Sequence, residues 1–179
     1  PNEANPVRVL VWDERQAEQK QAYGERFLGQ AIADSLEKQG FLVRSSGLDE
    51  AAQGPDPALL DWAEVLIWWG HVRHSKITPE TGKGIVNRIK QGRLSLIALH
   101  SAHWATPFVE AMNAKSRQEA IAPFAGRDWT LEEVPLRTRY YLPKRDEPPT
   151  PRTEVVETDD GTVRIKLYLP NCCFPAYAD

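Results

Sequence analysis

Two apolar runs constrain this chain more than any other feature: Val65-Leu66-Ile67-Trp68-Trp69-Gly70 and Leu94-Ser95-Leu96-Ile97-Ala98-Leu99. Neither has the polar alternation of a strand with one wet face. Both therefore read as strands covered on two sides, the pattern of a parallel sheet with helices on both faces. The segment between them supplies a crossover. Thr78-Pro79 is an N-cap followed by proline at the first helical position. Ile85, Val86 and Ile89 share one helical face, and Gly92 ends the helix. The two strands are expected to be neighbours or nearly so.

The rest of the N-terminal part repeats this rhythm. Residues 7–12 form a β-rich run followed by Asp13 and Glu14. From 16 to 39 the pattern turns helical, with Phe27, Leu28, Ala31, Ile32, Ser35 and Leu36 on one face and Gly40 as the stop. Residues 41–46 read as a second strand, and Gly54-Pro55-Asp56-Pro57 breaks the chain before a short helical turn. Thr106-Pro107 is a second N-cap–proline helix start. Four rounds of strand then helix predict a doubly wound parallel α/β sheet.

After about residue 115 the character changes. Residues 134–153 are rich in proline and charge and read as an extended arm. Residues 153–158 and 162–169 flank Asp159-Asp160-Gly161, a hairpin signal. The whole chain is expected to be a single domain over 1–179, with a core at about 7–115 and an insertion at about 116–170. A C-terminal portion beyond Asp179 is expected.

Composition narrows the function classes. A length of 179 residues suits one domain with a real core. A net charge of −3 and a pI near 5.9 argue against a nucleic-acid or membrane-surface partner. No apolar run approaches the roughly 20 residues that cross a bilayer. There is no signal-like segment either, so cytoplasmic and exported locations both stay open. No glycine-rich phosphate loop follows the first strand, so no nucleotide cofactor is expected.

All four histidines lie just past the two apolar runs: His71 and His74 after the first, His100 and His103 after the second. If the strands are adjacent and parallel, the imidazoles converge on the rim where open α/β sheets bind ligands. Three imidazoles suit a divalent metal, zinc above all. His71, His100 and His103 are the expected ligands, with His74 or Cys172 as a further one and His74 the most solvent-facing. Hydrogen-bonded catalytic or structural roles are the alternatives. Asp13 and Glu14 reach the same rim as candidate general bases, or as acceptors that fix a histidine tautomer. Ser101 sits where a nucleophile elbow would lie, but lacks its flanking glycines. A backbone cap or a hydrogen bond to substrate is its other reading. Trp12, Trp69 and Trp104 could stack on a sugar, and Arg73 could bind an anionic group, with core packing and a solvated loop as the plainer readings. The adjacent Cys172 and Cys173 form no disulfide framework.

Three segments carry a family resemblance: Val9-Leu10-Val11-Trp12-Asp13-Glu14, the W-W-G-H-x-x-H motif ending at His74, and the L-H-S-x-H motif ending at His103. Over about residues 7–112 the chain resembles the ThuA-like, trehalose-utilisation family. That resemblance implies a flavodoxin-like fold akin to class I glutamine amidotransferases. Where those relatives carry a catalytic cysteine, His100-Ser101 stands here, so amidotransferase activity is not implied. The resemblance implies carbohydrate utilisation: trehalose, a related disaccharide or a keto-sugar made from it, handled beside a sugar oxidoreductase. The expected site is a metal-assisted enzyme centre. The alternative is a non-catalytic sugar- or metabolite-binding domain working with a partner enzyme. A homo-oligomer is compatible with either.

Overall fold

A computed structural model describes residues 5–51, 55–134, 146 and 148–169. The chain divides into two compact units, residues 1–108 and 109–179. Most of the proline-rich stretch 135–147, and both Cys172 and Cys173, lie outside the described residues.

The first unit is a four-stranded, all-parallel sheet of β1 (Arg8–Asp13), β2 (Leu42–Gly47), β3 (Val65–Trp69) and β4 (Ser95–Leu99), in the order β2-β1-β3-β4. Among the described residues four α-helices follow its strands, α1 (Gln19–Ala22), α2 (Leu28–Glu37), α3 (Pro57–Trp62) and α4 (Pro79–Lys90), and a fifth, α5 (Thr106–Ile121), starts at its end and lies mostly in the second unit. Side chains alternate across a strand, and β1 shows where each face goes. Leu10 and Trp12 join Leu66, Trp68, Leu60 and Ile85 in one buried cluster, against α3 and α4. Val9 and Val11 join Ile67 and Ala33 in another, backed by Ile32 and Leu36 of α2. Helices thus cover both faces, which explains why β3 is apolar at every position and β1 from Val9 to Trp12. The Trp12 and Trp68 rings stack with centroids 3.7 Å apart.

The local signals act as their chemistry dictates. Thr78 Oγ1 accepts the Thr81 N–H at 3.3 Å, and Pro79 opens α4 where no amide hydrogen is needed. Asp56 caps α3 through the Ala58 N–H at 2.7 Å.

Two expectations change. The helix expected over 16–39 is broken, because Gly24 (φ 62°) and Glu25 (φ 63°) are both left-handed and separate α1 from α2. The face α2 buries is set by Gly29, Ile32, Ala33 and Leu36, and Ser35 is exposed. In addition, β4 is a sheet edge. Leu96 and Ala98 pack on the tryptophan side, but Ile97 is 48% exposed and the opposite cluster reaches only Leu99.

Gly29 shows how tightly β1 meets α2. A Cβ there would lie 2.6 Å from Asp13 Oδ2 and 2.9 Å from Asp13 Cβ. Alanine favours a helix by under about 1 kcal/mol over glycine, but overpacking a buried contact costs about 1–3 kcal/mol. Gly29→Ala is therefore expected to lower the urea midpoint of the first unit. An unchanged or raised midpoint would show that the contact has room to relax.

The second unit has β5 (Trp129–Val134), β6 (Arg152–Glu157) and β7 (Val163–Tyr168) in the order β5-β7-β6. β7 runs parallel to β5 and antiparallel to β6. Its Val163, Ile165 and Leu167 are buried with Ala120, and Ile121, Phe124 and Leu131 pack against them.

Candidate functional site

The C-terminal ends of β1, β3 and β4 form one rim, and strand order reverses between β1 and β3. That reversal opens the crevice where α/β sheets place ligands. Here Glu14 fills its floor. The carboxylate is 1% exposed and accepts the amide hydrogens of three successive residues: His71 (2.8 Å), Val72 (3.1 Å) and Arg73 (2.9 Å). Gln16 Nε2 donates a fourth bond at 2.7 Å. Consecutive amides arranged this way form an anion-binding nest. Gly70 permits the approach, because a Cβ there would stand 3.2 Å from Glu14 Oε2 and 3.3 Å from the His74 ring. Burial by itself raises the Glu14 pKa, but the bonds from Arg73, Gln16, His71 and Val72 outweigh it and hold the carboxyl below its ordinary value.

Asp13 is also 1% exposed. It accepts the Gly29 N–H at the start of α2 and the Arg15 N–H. Burial dominates there and pushes its pKa up, against those two bonds. Both carboxylates expected as general bases are thus turned inward, joining β1 to α2 and to the loop after β3. Glu14 instead fixes the histidine loop through its backbone.

The open rim belongs to the imidazoles. His100 leaves β4 with φ 49°, a left-handed conformation that costs a non-glycine residue on the order of 1–3 kcal/mol. Such a residue at a strand exit turns its side chain away from the sheet, as a nucleophile elbow does. Ser101 Oγ lies 2.7 Å from His71 Nδ1, 3.1 Å from His100 Nδ1 and 3.2 Å from the Gly70 carbonyl oxygen. The His71 and His100 rings are 6.4 Å apart between centroids. His103 Nδ1 lies 3.0 Å from the His100 carbonyl, and its ring meets Trp104 edge-on at 5.2 Å.

His74, expected to face solvent most, is instead 3% exposed. The turn His74–Lys76 folds it inward, where its carbonyl accepts the Thr106 hydroxyl at 3.4 Å. Trp12 is 2% exposed and stacked on Trp68, so it is a core residue with no face for a sugar. Trp69 and Trp104 are half-buried at the strand exits. The Arg73 guanidinium pairs with Asp49 at 3.1 Å and reaches the Glu14 carbonyl at 3.4 Å, so its charge is already compensated. It lines a polar recess of about 410 Å³ with Leu48, Asp49, Glu50 and Lys76.

The histidines do not form an ion cage as they stand. Among the described residues no group of three His, Cys, Asp or Glu side chains is placed to hold a metal ion. The Nδ1 atoms of His71 and His100 both face Ser101 Oγ, so a hydroxyl occupies the point between them.

No protein-family model matches the chain, and no curated protein matches its sequence. Among the described residues no helix is long and apolar enough to cross a membrane.

Proposed function

We propose that the chain is a ThuA-like protein of carbohydrate utilisation, with a flavodoxin-like first unit that handles a trehalose-type disaccharide or a keto-sugar made from one. The observation that carries this reading is the hydrogen-bonded group of His71, Ser101 and His100 on the exits of two adjacent parallel strands. Half-buried Trp69 and Trp104 offer apolar ring faces, and the recess beside Arg73 falls in the size range of small-molecule sites. A sugar oxidoreductase would supply the carbonyl compound.

The reaction class these groups serve is proton transfer next to a sugar carbonyl. A neutral imidazole removes the proton from the carbon beside the carbonyl, the electron pair moves onto the carbonyl oxygen, and the resulting imidazolium returns a proton to carbon. Asp13 and Glu14 take no part in these transfers, because backbone amides already occupy them.

The test is exchange in deuterium oxide. A keto-disaccharide incubated with the protein should lose the proton signal beside its carbonyl far faster than without it. Saturable binding with no exchange would favour the non-catalytic sugar-binding domain, and neither would end the carbohydrate reading. One observation favours a metal centre as a second reading: a histidine that donates Nδ1–H to a carbonyl, as His103 is placed to do, has the tautomer a zinc ligand needs. Tight 1:1 zinc uptake that disappears in His100→Ala would replace the metal-free account.

A further inference from the structure

We infer that Ser101 sets the tautomer of two histidines: its hydroxyl, bonded to the Gly70 carbonyl, holds His71 and His100 with the proton on Nδ1 and Nε2 bare. This deepens the reading above and rests on it only for what those Nε2 atoms act upon.

A serine hydroxyl has one hydrogen to donate and two lone pairs to accept with. Ser101 Oγ has three partners within 3.2 Å: His71 Nδ1, His100 Nδ1 and the Gly70 oxygen. The carbonyl can only accept. One assignment satisfies all three contacts, with the hydroxyl proton on the Gly70 oxygen and an N–H from each imidazole on a Ser101 lone pair. Giving that proton to His71 or His100 instead would set the hydroxyl oxygen against the carbonyl oxygen of buried Gly70, acceptor against acceptor. His103 reaches the same state by another route, since the His100 carbonyl 3.0 Å from its Nδ1 is also only an acceptor.

The consequence is chemical. An imidazole in water favours the proton on Nε2, so a histidine left to itself presents mainly Nδ1 as a base, close to its own backbone. Here the preference is reversed. The nitrogen at the far end of the side chain becomes the one able to take a proton. Ser101 is thus a positioning residue that acts through the imidazoles, and the nucleophile role is unnecessary to explain it. Backbone geometry supports this, because the left-handed φ of His100 brings its ring beside the next residue's hydroxyl.

The test is nitrogen-15 NMR of histidine-labelled protein near pH ~8.5, about two units above the free imidazole value. The wild type should show His71, His100 and His103 all with the proton on Nδ1. In Ser101→Ala, His71 and His100 should move toward the Nε2–H form while His103 keeps its pattern. Ser101→Thr, which retains the hydroxyl, should resemble the wild type. A wild-type spectrum with the proton on Nε2 of His71 or His100 would overturn the inference. So would a Ser101→Ala spectrum with unchanged tautomers. If Ser101→Ala fails to fold, the wild-type spectrum still decides. No sugar is present in this experiment. A protein without exchange activity but with the Nδ1–H pattern would refute the proposed reaction and leave the role of Ser101 standing.

Discussion

Replacing Glu14 by alanine will lower the stability of the first unit by roughly 3–5 kcal/mol. An amide left without an acceptor away from water costs about 1–3 kcal/mol, and three successive part-buried ones depend on this carboxylate, which itself is buried, with losses that do not simply add. Urea unfolding followed by the fluorescence of the buried Trp12–Trp68 pair measures it. Glu14→Gln should cost less, since one carboxamide oxygen still accepts while its NH₂ group opposes a donor. An unchanged midpoint in Glu14→Ala would mean that water or a rearranged loop satisfies the amides at little cost.

Acid separates the two buried carboxylates, because their shifts have opposite signs. The Glu14 pKa is lowered in the folded chain. Its contribution is complete above the unfolded carboxylate value of about 4.3, and is lost as pH falls through the folded value. The Asp13 pKa is raised. The folded state therefore binds that proton more tightly than the unfolded chain, and Asp13 adds relative stability as pH falls through its raised value. In Glu14→Ala the acid loss due to Glu14 should vanish and the Asp13 gain should show more plainly. Asp13→Asn should remove that gain.

His71→Ala should reduce the exchange rate beside the sugar carbonyl by about 10²–10⁴-fold, the usual loss on removing a general acid–base group. His71 is exposed, so the folded state should survive with only a small change in stability. The informative comparison is His74→Ala. That residue is buried under the rim, so its loss should act mainly on stability, through the cavity it leaves. If His71→Ala retains full exchange activity while the wild type has it, the base lies elsewhere on the chain.

Much of the first unit was legible because its signals are local. Unbroken apolar runs set β3 and β4, and the N-cap–proline pair at Thr78-Pro79 sets a helix start that needs no distant partner, whereas Thr106 is the first residue of α5 and turns its hydroxyl to the Ile77 and His74 carbonyls. Adjacency of β3 and β4 follows from the crossover between them. What was not legible depended on distant or finely balanced geometry. The break between α1 and α2 hangs on two consecutive left-handed residues in a polar stretch with no apolar pattern. β5 gave no strand signal of its own, since its partner β7 lies far along the chain. Glu14 reads as a candidate general base because nothing nearby shows that amides 57 to 59 residues later would claim it. The two H-x-x-H pairs look alike in sequence, but a tight turn buries His74 while His103 stays half-exposed. The spacing located the rim and left the direction of each ring unspecified.

A ligand that engages the imidazoles at the exits of β3 and β4 must perturb their rings. With only four histidines, their ring carbon–hydrogen NMR signals can be assigned by substitution and followed during titration with a keto-disaccharide. The account predicts saturable shifts of His71, His100 and His103 along one binding curve, with His74 moving least. Four unmoved signals at concentrations where binding is otherwise detected, or a shift confined to His74, would contradict it.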